Sequence, residues 1–292
     1  MTVDLRSDTV TRPVPGMRAA MMAAELGDDG FRDDPTQLAL EAEVAQLLGK
    51  EAALFVPSGV MANQIAIRLQ SRPGDEVICH AVSHIYDHEY SGAAAISGVM
   101  LRPLDSVDGT LPLDRIADRF RLAAAGRSPQ VALICLENTH NDRGGLVLPE
   151  GHPEAVAKLA RAHGAAMHLD GARLFNAAVA SGRSLASLAA PFDTVNVCMS
   201  KGLGAPVGSL LVGSRAHCEQ AVRIRRYLGG LMRQSGVLAG AARYALAHHV
   251  TRLADDHRRA SALGRALAQL EHVAVVPPQT NLVRFSLAPA HA

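Results

Sequence analysis

Apolar residues along the chain fall into two alternating patterns. Short, mostly apolar runs, the mark of buried strands, occupy residues 52–56, 76–79, 99–103, 131–136, 166–169 and 194–199. Between them apolar residues recur every three or four positions, as on one face of a helix, over 60–70, 84–96, 113–122 and 153–163. Upstream, a short helix is expected over 17–25. After a loop rich in Asp and Gly, Asp34-Pro35 opens a second helix with Leu40, Val44, Leu47 and Leu48 on one face and Gly49 at its end. The run 207–212 follows 194–199 closely enough to pair with it antiparallel. Apolar strands joined by helices of ten or more residues predict an α/β fold, with a largely parallel sheet covered on both faces. In such sheets ligands gather beyond the carboxyl ends of the strands.

After residue 216 the pattern becomes helical: a basic helix through Arg226, a break at Gly229-Gly230, a helix to about 249 and an amphipathic one over 253–270. Strands are expected at 273–276 and 282–287. The chain thus divides into an N-terminal arm (1–16), a large domain (17–249) and a small, partial C-terminal α+β domain (250–292).

Composition narrows the function. The 292 residues are 48% hydrophobic and 20% charged, as in a soluble globular protein large enough for a substantial core. A net charge of +1 and 3% aromatic residues provide neither a field nor stacking platforms for nucleic acid. No apolar run is long enough to span a membrane, and the first residues lack the apolar core of a signal peptide, so a cytoplasmic location is expected. Cys79, Cys135, Cys198 and Cys218 are scattered and form no CxxC pair, so neither a zinc site nor a disulfide framework is expected.

Four places carry candidate chemistry. Lys201, one of three lysines, follows the run 194–199 and is flanked by Ser200, Gly202, Gly204 and Gly208. A planar ligand can approach an amine among such small residues, and partial desolvation lowers the amine's pKa. Asp170 ends the run that begins at Ala166; its carboxylate there can hold a proton on a pyridine nitrogen or simply cap a helix. The stretch Pro57-Ser58-Gly59-Val60-Met61-Ala62-Asn63 joins a strand to a helix and offers backbone N–H groups to a phosphate, without the lysine of a Walker loop. His84, near a helix start, can stack on a flat ring or move a proton. His88 lies one turn on, but no third ligand completes a metal site. Each feature alone also fits a plain structural role. Their order is that of a fold-type I pyridoxal phosphate enzyme.

Several motifs resemble those of the L-threonine aldolases: residues 4–13 (DLRSDTVTRP), Gly27-Asp28-Asp29, residues 33–36, 136–141 (LENTHN) and 168–173 (HLDGAR), then 200–209 (SKGLGAPVGS) and 232–236 (MRQSG). The resemblance covers nearly the whole chain. It implies an aspartate-aminotransferase-like fold with a seven-stranded sheet, pyridoxal 5'-phosphate as cofactor and retro-aldol cleavage of L-threonine or L-allo-threonine. Lys201 would bond the cofactor, Asp170 would pair with the pyridine nitrogen, and His84 would stack on the ring and serve in catalysis. Ser58, Gly59 and Val60 would hold the phosphate, helped by Arg233 of a neighbouring subunit. Ser7 and Arg173 would lie by the substrate carboxylate or ring oxygen, and His140 would face the substrate hydroxyl.

A homotetramer with shared active sites follows from the same resemblance, and at least a dimer from the arm and Arg233. The chain departs from the pattern at Val60, where the family commonly has threonine, and at His88 and Tyr90, where less polar or smaller residues are expected. Family chains also continue through more of the small domain, which carries a further arginine for the substrate carboxylate; here either the sequence is truncated or that arginine comes from elsewhere. Rival expectations are cleavage of another β-hydroxy amino acid such as phenylserine, β-elimination, and a cofactor-binding subunit of low activity.

Overall fold

A computed structural model describes residues 3–288. Its nine strands are β1 (Ala52–Val56), β2 (Glu76–His80), β3 (Met100–Leu104), β4 (Val131–Glu137), β5 (Ala166–Asp170), β6 (Thr194–Cys198), β7 (Ser209–Gly213), β8 (Val273–Val276) and β9 (Arg284–Leu287). Seven form one sheet in the order β1-β7-β6-β5-β4-β2-β3, and β8 and β9 form a separate antiparallel pair. Within the large sheet only β7 runs against its neighbours. The expected antiparallel return after β6 is therefore present, and the rest is parallel.

The reason lies in burial. Every residue of β2, β6 and β7 is buried, so these strands carry apolar side chains towards both faces, where helices cover them. One core joins Phe55, Ile134, Leu169, Val197 and Leu210 to the helix Pro35–Leu47 through Leu40 and Val44. A second lies between the helix Gly59–Gln70 and the helix Arg215–Tyr227, around Ile65, Leu54 and Leu211. Because the crossovers are parallel, the turns after β1, β2, β4, β5 and β6 all open at the same end of the sheet.

Three expected elements differ. The helix over 84–96 is broken into a single turn, His84–Asp87, and a π-turn, Ala93–Ser97. Between them Tyr90 and Ser91 have left-handed backbones (φ 51° and 60°). That reversal turns Glu89 inward, where its carboxylate is buried, and leaves Tyr90 98% exposed. Residues Pro15 and Gly16 join the first helix, Pro15–Met22, so the arm ends earlier than its prolines suggest. The last strand begins at Arg284 instead of residue 282. Among the described residues no helix is long and apolar enough to cross a membrane.

Candidate active site

At the carboxyl end of the sheet a cleft of about 210 Å3 opens between the turn after β1, the turn after β5 and the loop after β6. Pro57, Ser58, Gly59, Val60, Asn63 and His84 line one part of it; Asp170, Asn196, Cys198 and Lys201 line another. Sequence neighbours did not bring these together. Strand pairing did: Asp170 sits opposite Asn196 on β6, and Glu137 opposite Asp170 on β4.

Ser58 acts as the N-cap of the helix Gly59–Gln70, its hydroxyl accepting the Met61 N–H at 3.2 Å. The amides of Gly59 and Val60 precede the helical ladder and have no intrahelical acceptor. They point the positive end of the helix at the cleft, which suits an anion. A Cβ on Gly59 would lie 2.8 Å from Cys198 Sγ, so only glycine lets the turn approach β6 this closely.

Lys201 stands in a loop closed by Met199 N–H to Gly208 O (2.9 Å) and Gly204 N–H to Lys201 O (2.9 Å). Gly208 has φ 116°, and a Cβ there would lie 2.4 Å from the Phe55 ring. The N-terminal arm reaches this loop, for Thr11 Oγ1 donates to Lys201 O at 2.8 Å. Asp170 is buried. Burial pushes its carboxyl upward, but the charges of Lys201 and His84 and the hydrogen bond from Asn63 outweigh it and hold the pKa below the usual carboxylate value. Oδ1 accepts the Ala172 N–H at 3.0 Å, so the helix-cap role and the cleft-facing role coexist.

His84 bonds through Nδ1 to Glu89 Oε1 at 2.9 Å. Burial lowers its pKa, while Glu89 and Asp170 raise it by more, so the net shift is upward. Glu89 was not singled out in the sequence, and Asn63, at the end of the phosphate-turn stretch, was given no role of its own; its amide donates to both Glu89 Oε1 and Asp170 Oδ2 at 2.7 Å. His84, Glu89 and Asp170 each present a ligand atom within 4.8 Å of the others. The Asn63 amide already fills the bay between the two carboxylates, which marks this group as a hydrogen-bond network.

Arg173 lies beside the cleft with its guanidinium engaged: Nε and Nη2 donate to Asp8 (2.8 and 2.7 Å), and Nη1 donates to Asn141 Oδ1 (2.9 Å). Asp8 is held in turn by Asn281 at 3.0 Å. Ser7 caps the 3-10 turn Asp8–Val10 and accepts the Thr9 N–H and O–H. Neither Ser7 nor Arg173 lines the cleft wall. His140 is fully buried and packs edge-on against His80, ring centroids 4.6 Å apart, away from the cleft lining. Burial, with His80 and Arg143 nearby, depresses its pKa to about 4, so the ring is neutral. Arg233 is on the surface, its side chain 68% exposed and 3.5 Å from Asp28, outside the cleft of its own chain. His88 bonds Asp142 at 2.7 Å.

Glu137 is buried beneath the site and accepts the backbone N–H groups of His84 (2.7 Å) and Asn141 (2.8 Å). Burial, reinforced by the charge of Asp170, raises its pKa to about 7. An acid whose pKa is raised on folding holds a proton that the unfolded chain has released. Stability is therefore expected to fall as pH rises from its ordinary pKa towards about 7, then level off. Thermal unfolding between pH 4 and 8 should show this fall flattened in Glu137→Gln.

The β-eliminating lyase family model matches residues 4–289 of the chain. A probable low-specificity L-threonine aldolase of Arabidopsis thaliana is 45% identical over 287 residues, covering 97% of this chain and 81% of that protein. A low specificity L-threonine aldolase of Escherichia coli O157:H7 is 46% identical over 268 residues, covering 91% and 79%. Among solved structures, a putative L-allo-threonine aldolase of Listeria monocytogenes superposes with a TM-score of 0.80 at 25% identity, covering 97% of this chain and 77% of that one. With sheet order, cleft and sequence in agreement, this chain belongs to the β-eliminating lyase family, and within it to the low-specificity L-threonine aldolases.

Proposed function

We propose that the protein cleaves L-threonine and L-allo-threonine to glycine and acetaldehyde with pyridoxal 5'-phosphate as cofactor. The observation that carries this reading is the single cleft shared by Lys201 and Asp170, an amine and an ionised buried acid at the ends of adjacent parallel strands. The residues fit the cofactor. Gly59 and Val60 offer amides to its phosphate, Asp170 an ionised carboxylate to its ring nitrogen, and Lys201 an amine to its carbonyl carbon.

When bound, pyridoxal phosphate takes up the electron pair of the breaking Cα–Cβ bond. The protein's part is attachment, orientation and proton handling. Asp170 stays anionic in a buried place because Lys201, His84 and Asn63 favour its charge, so it can keep the ring cationic. His84 presents its ring to the cleft with Nδ1 tied to Glu89, which orients it for stacking and leaves Nε2 to exchange a proton. Lys201 would hold the cofactor through its amine when no substrate is bound. Arg173 and Ser7 stand behind the cleft lining, so a role at the substrate carboxylate requires Arg173 to exchange an Asp8 or Asn141 bond for it, and His140 supports the neighbouring loop from within. Charges aimed at the developing negative charge lower the barrier.

The same reading assigns Arg233, outside its own cleft, to the phosphate of a neighbouring subunit. It makes the protein a cytoplasmic homotetramer with shared sites, and it divides the chain into the arm, the large domain and a small domain from about residue 250.

A second reading, β-elimination, is favoured by the family's description. Incubating purified protein and cofactor with L-threonine separates the two. Glycine and acetaldehyde support cleavage; ammonia and a keto acid would show elimination. A bound-cofactor absorption band without either product would show a cofactor-binding subunit, and phenylserine cleaved in preference to threonine would shift the substrate.

A further inference from the structure

We propose that Asn63 is a positioning residue for this site, an amide that joins Asp170 to the Glu89–His84 pair and is oriented by a buried chain through His168 and Thr194 to Gln70. The proposal rests on the cofactor reading above for its functional meaning, but the network stands on its own geometry.

Donor and acceptor identities fix every link. The carboxylates of Glu89 and Asp170 only accept, and both lie 2.7 Å from one amide atom of Asn63, so that atom is the NH2 and each hydrogen has one carboxylate. Asn63 Oδ1 then faces the other way, 3.1 Å from His168 Nε2 and 3.2 Å from Asn196 Nδ2. As an acceptor it requires a proton on His168 Nε2. Nδ1 of that neutral ring is left to accept, and Thr194 Oγ1 lies 2.9 Å from it. Thr194 therefore gives its hydroxyl hydrogen to His168 and takes the N–H of Gln70 on its lone pair, at 2.7 Å. Gln70 also donates to Ala66 O at 3.0 Å, which anchors the far end in the helix that bears Asn63.

Asn63, His168 and Thr194 are almost wholly buried. His168 is kept neutral by burial, its pKa depressed to about 4, so the tautomer does not change near neutral pH. A buried amide with all its hydrogen bonds assigned is rigid, because turning it over would set Oδ1 against two carboxylates. The rigid amide holds Asp170 ionised and aimed, and the same group holds Glu89 against His84. Both partners of the cofactor ring are thus set by one side chain.

Thr194→Val removes the donor that supports the Nε2–H tautomer from the far ring nitrogen, without touching the cleft. With a proton on Nδ1, His168 would turn a lone pair to Asn63 Oδ1, and the repulsion would loosen the amide's bonds to the two carboxylates without turning it over. Asp170, which that bond makes less basic, would then hold the ring proton more tightly. A more positive ring makes its conjugated base titrate at lower pH.

The test is a pH titration of the visible absorption band of the holoenzyme. The midpoint in Thr194→Val is expected to fall by about one pH unit, ~10-fold in proton affinity, while Thr194→Ser keeps the wild-type midpoint. A folded Thr194→Val holoenzyme with an unchanged midpoint would overturn the proposal. A second measurement needs neither the cofactor nor a variant: nitrogen-15 NMR of histidine-labelled apoprotein should show His168 neutral with the proton on Nε2 from pH 8 to about pH 5. A proton on Nδ1 there would overturn it equally. If wild-type protein shows no visible band, the functional reading fails, and the NMR result still decides the network.

Discussion

Replacing Lys201 by alanine is expected to lower threonine cleavage at least about a thousandfold, ~4 kcal/mol in the barrier, with the folded state retained. No other amine can take over. Lys50 donates to Phe192 O at 2.6 Å, and Lys158 is an exposed side chain on the helix His152–Ala162. The loop conformation around residue 201 is set by backbone bonds and by Gly208, neither of which involves the lysine side chain. The measurement is direct: borohydride should fix the cofactor to a peptide containing Lys201 in the wild type and to no peptide in Lys201→Ala. Cofactor still covalently fixed in the alanine variant would remove Lys201 from its assigned role. Near-native turnover would remove the retro-aldol assignment with it.

Much of this site was legible in the chain because chemistry and local structure coincide there. Asp170 and Lys201 are polar residues at the ends of apolar runs, and such runs become buried strands whose ends point the same way. Ser58-Gly59 was legible as a strand–helix turn. The network behind them was less so. Asn63 sits in a helix whose neighbouring buried residues are Ala62, Gln64, Ile65, Ala66 and Ile67; two adjacent polar residues on an otherwise apolar buried stretch were the available signal. Glu89 lay hidden because the helix pattern over 84–96 continues past it. Its break occurs at Tyr90 and Ser91, residues that rarely take left-handed backbones, beside the hydrogen bonds of Asn63, Gln64 and His84 to the Glu89 carboxylate, and no local pattern announces it. The pairing of Arg173 with Asp8 spans 165 positions, and no periodicity reports a contact of that kind.

Asp29→Ala is expected to cost about 3–5 kcal/mol of stability, because it strands a buried cation. Arg225 is fully buried and donates through Nη2 to Asp29 and through Nη1 to Phe55 O at 2.7 Å. Its place on the apolar face follows the helical period: Cys218, Ala221 and Arg225 are the buried residues of the helix Arg215–Tyr227. Asp29 also accepts from Gln37 Nε2 at 2.7 Å and from the Met232 N–H at 3.3 Å, and its own N–H donates to Arg233 O at 3.0 Å. One carboxylate thus ties the loop at residues 27–35 to the loop that displays Arg233. The second consequence is functional. With the carboxylate's part of that tie removed and only the backbone bond to Arg233 O left, Arg233 is held less firmly, and if it serves a neighbour's phosphate, cofactor affinity should fall together with stability. Thermal unfolding and cofactor titration of Asp29→Ala measure the two effects. Asp29→Ala/Arg225→Met separates them, since removing the stranded charge should recover much of the stability while leaving the loop untied. If the double variant regained full cofactor affinity, the buried pair would be a packing feature with no hold on Arg233.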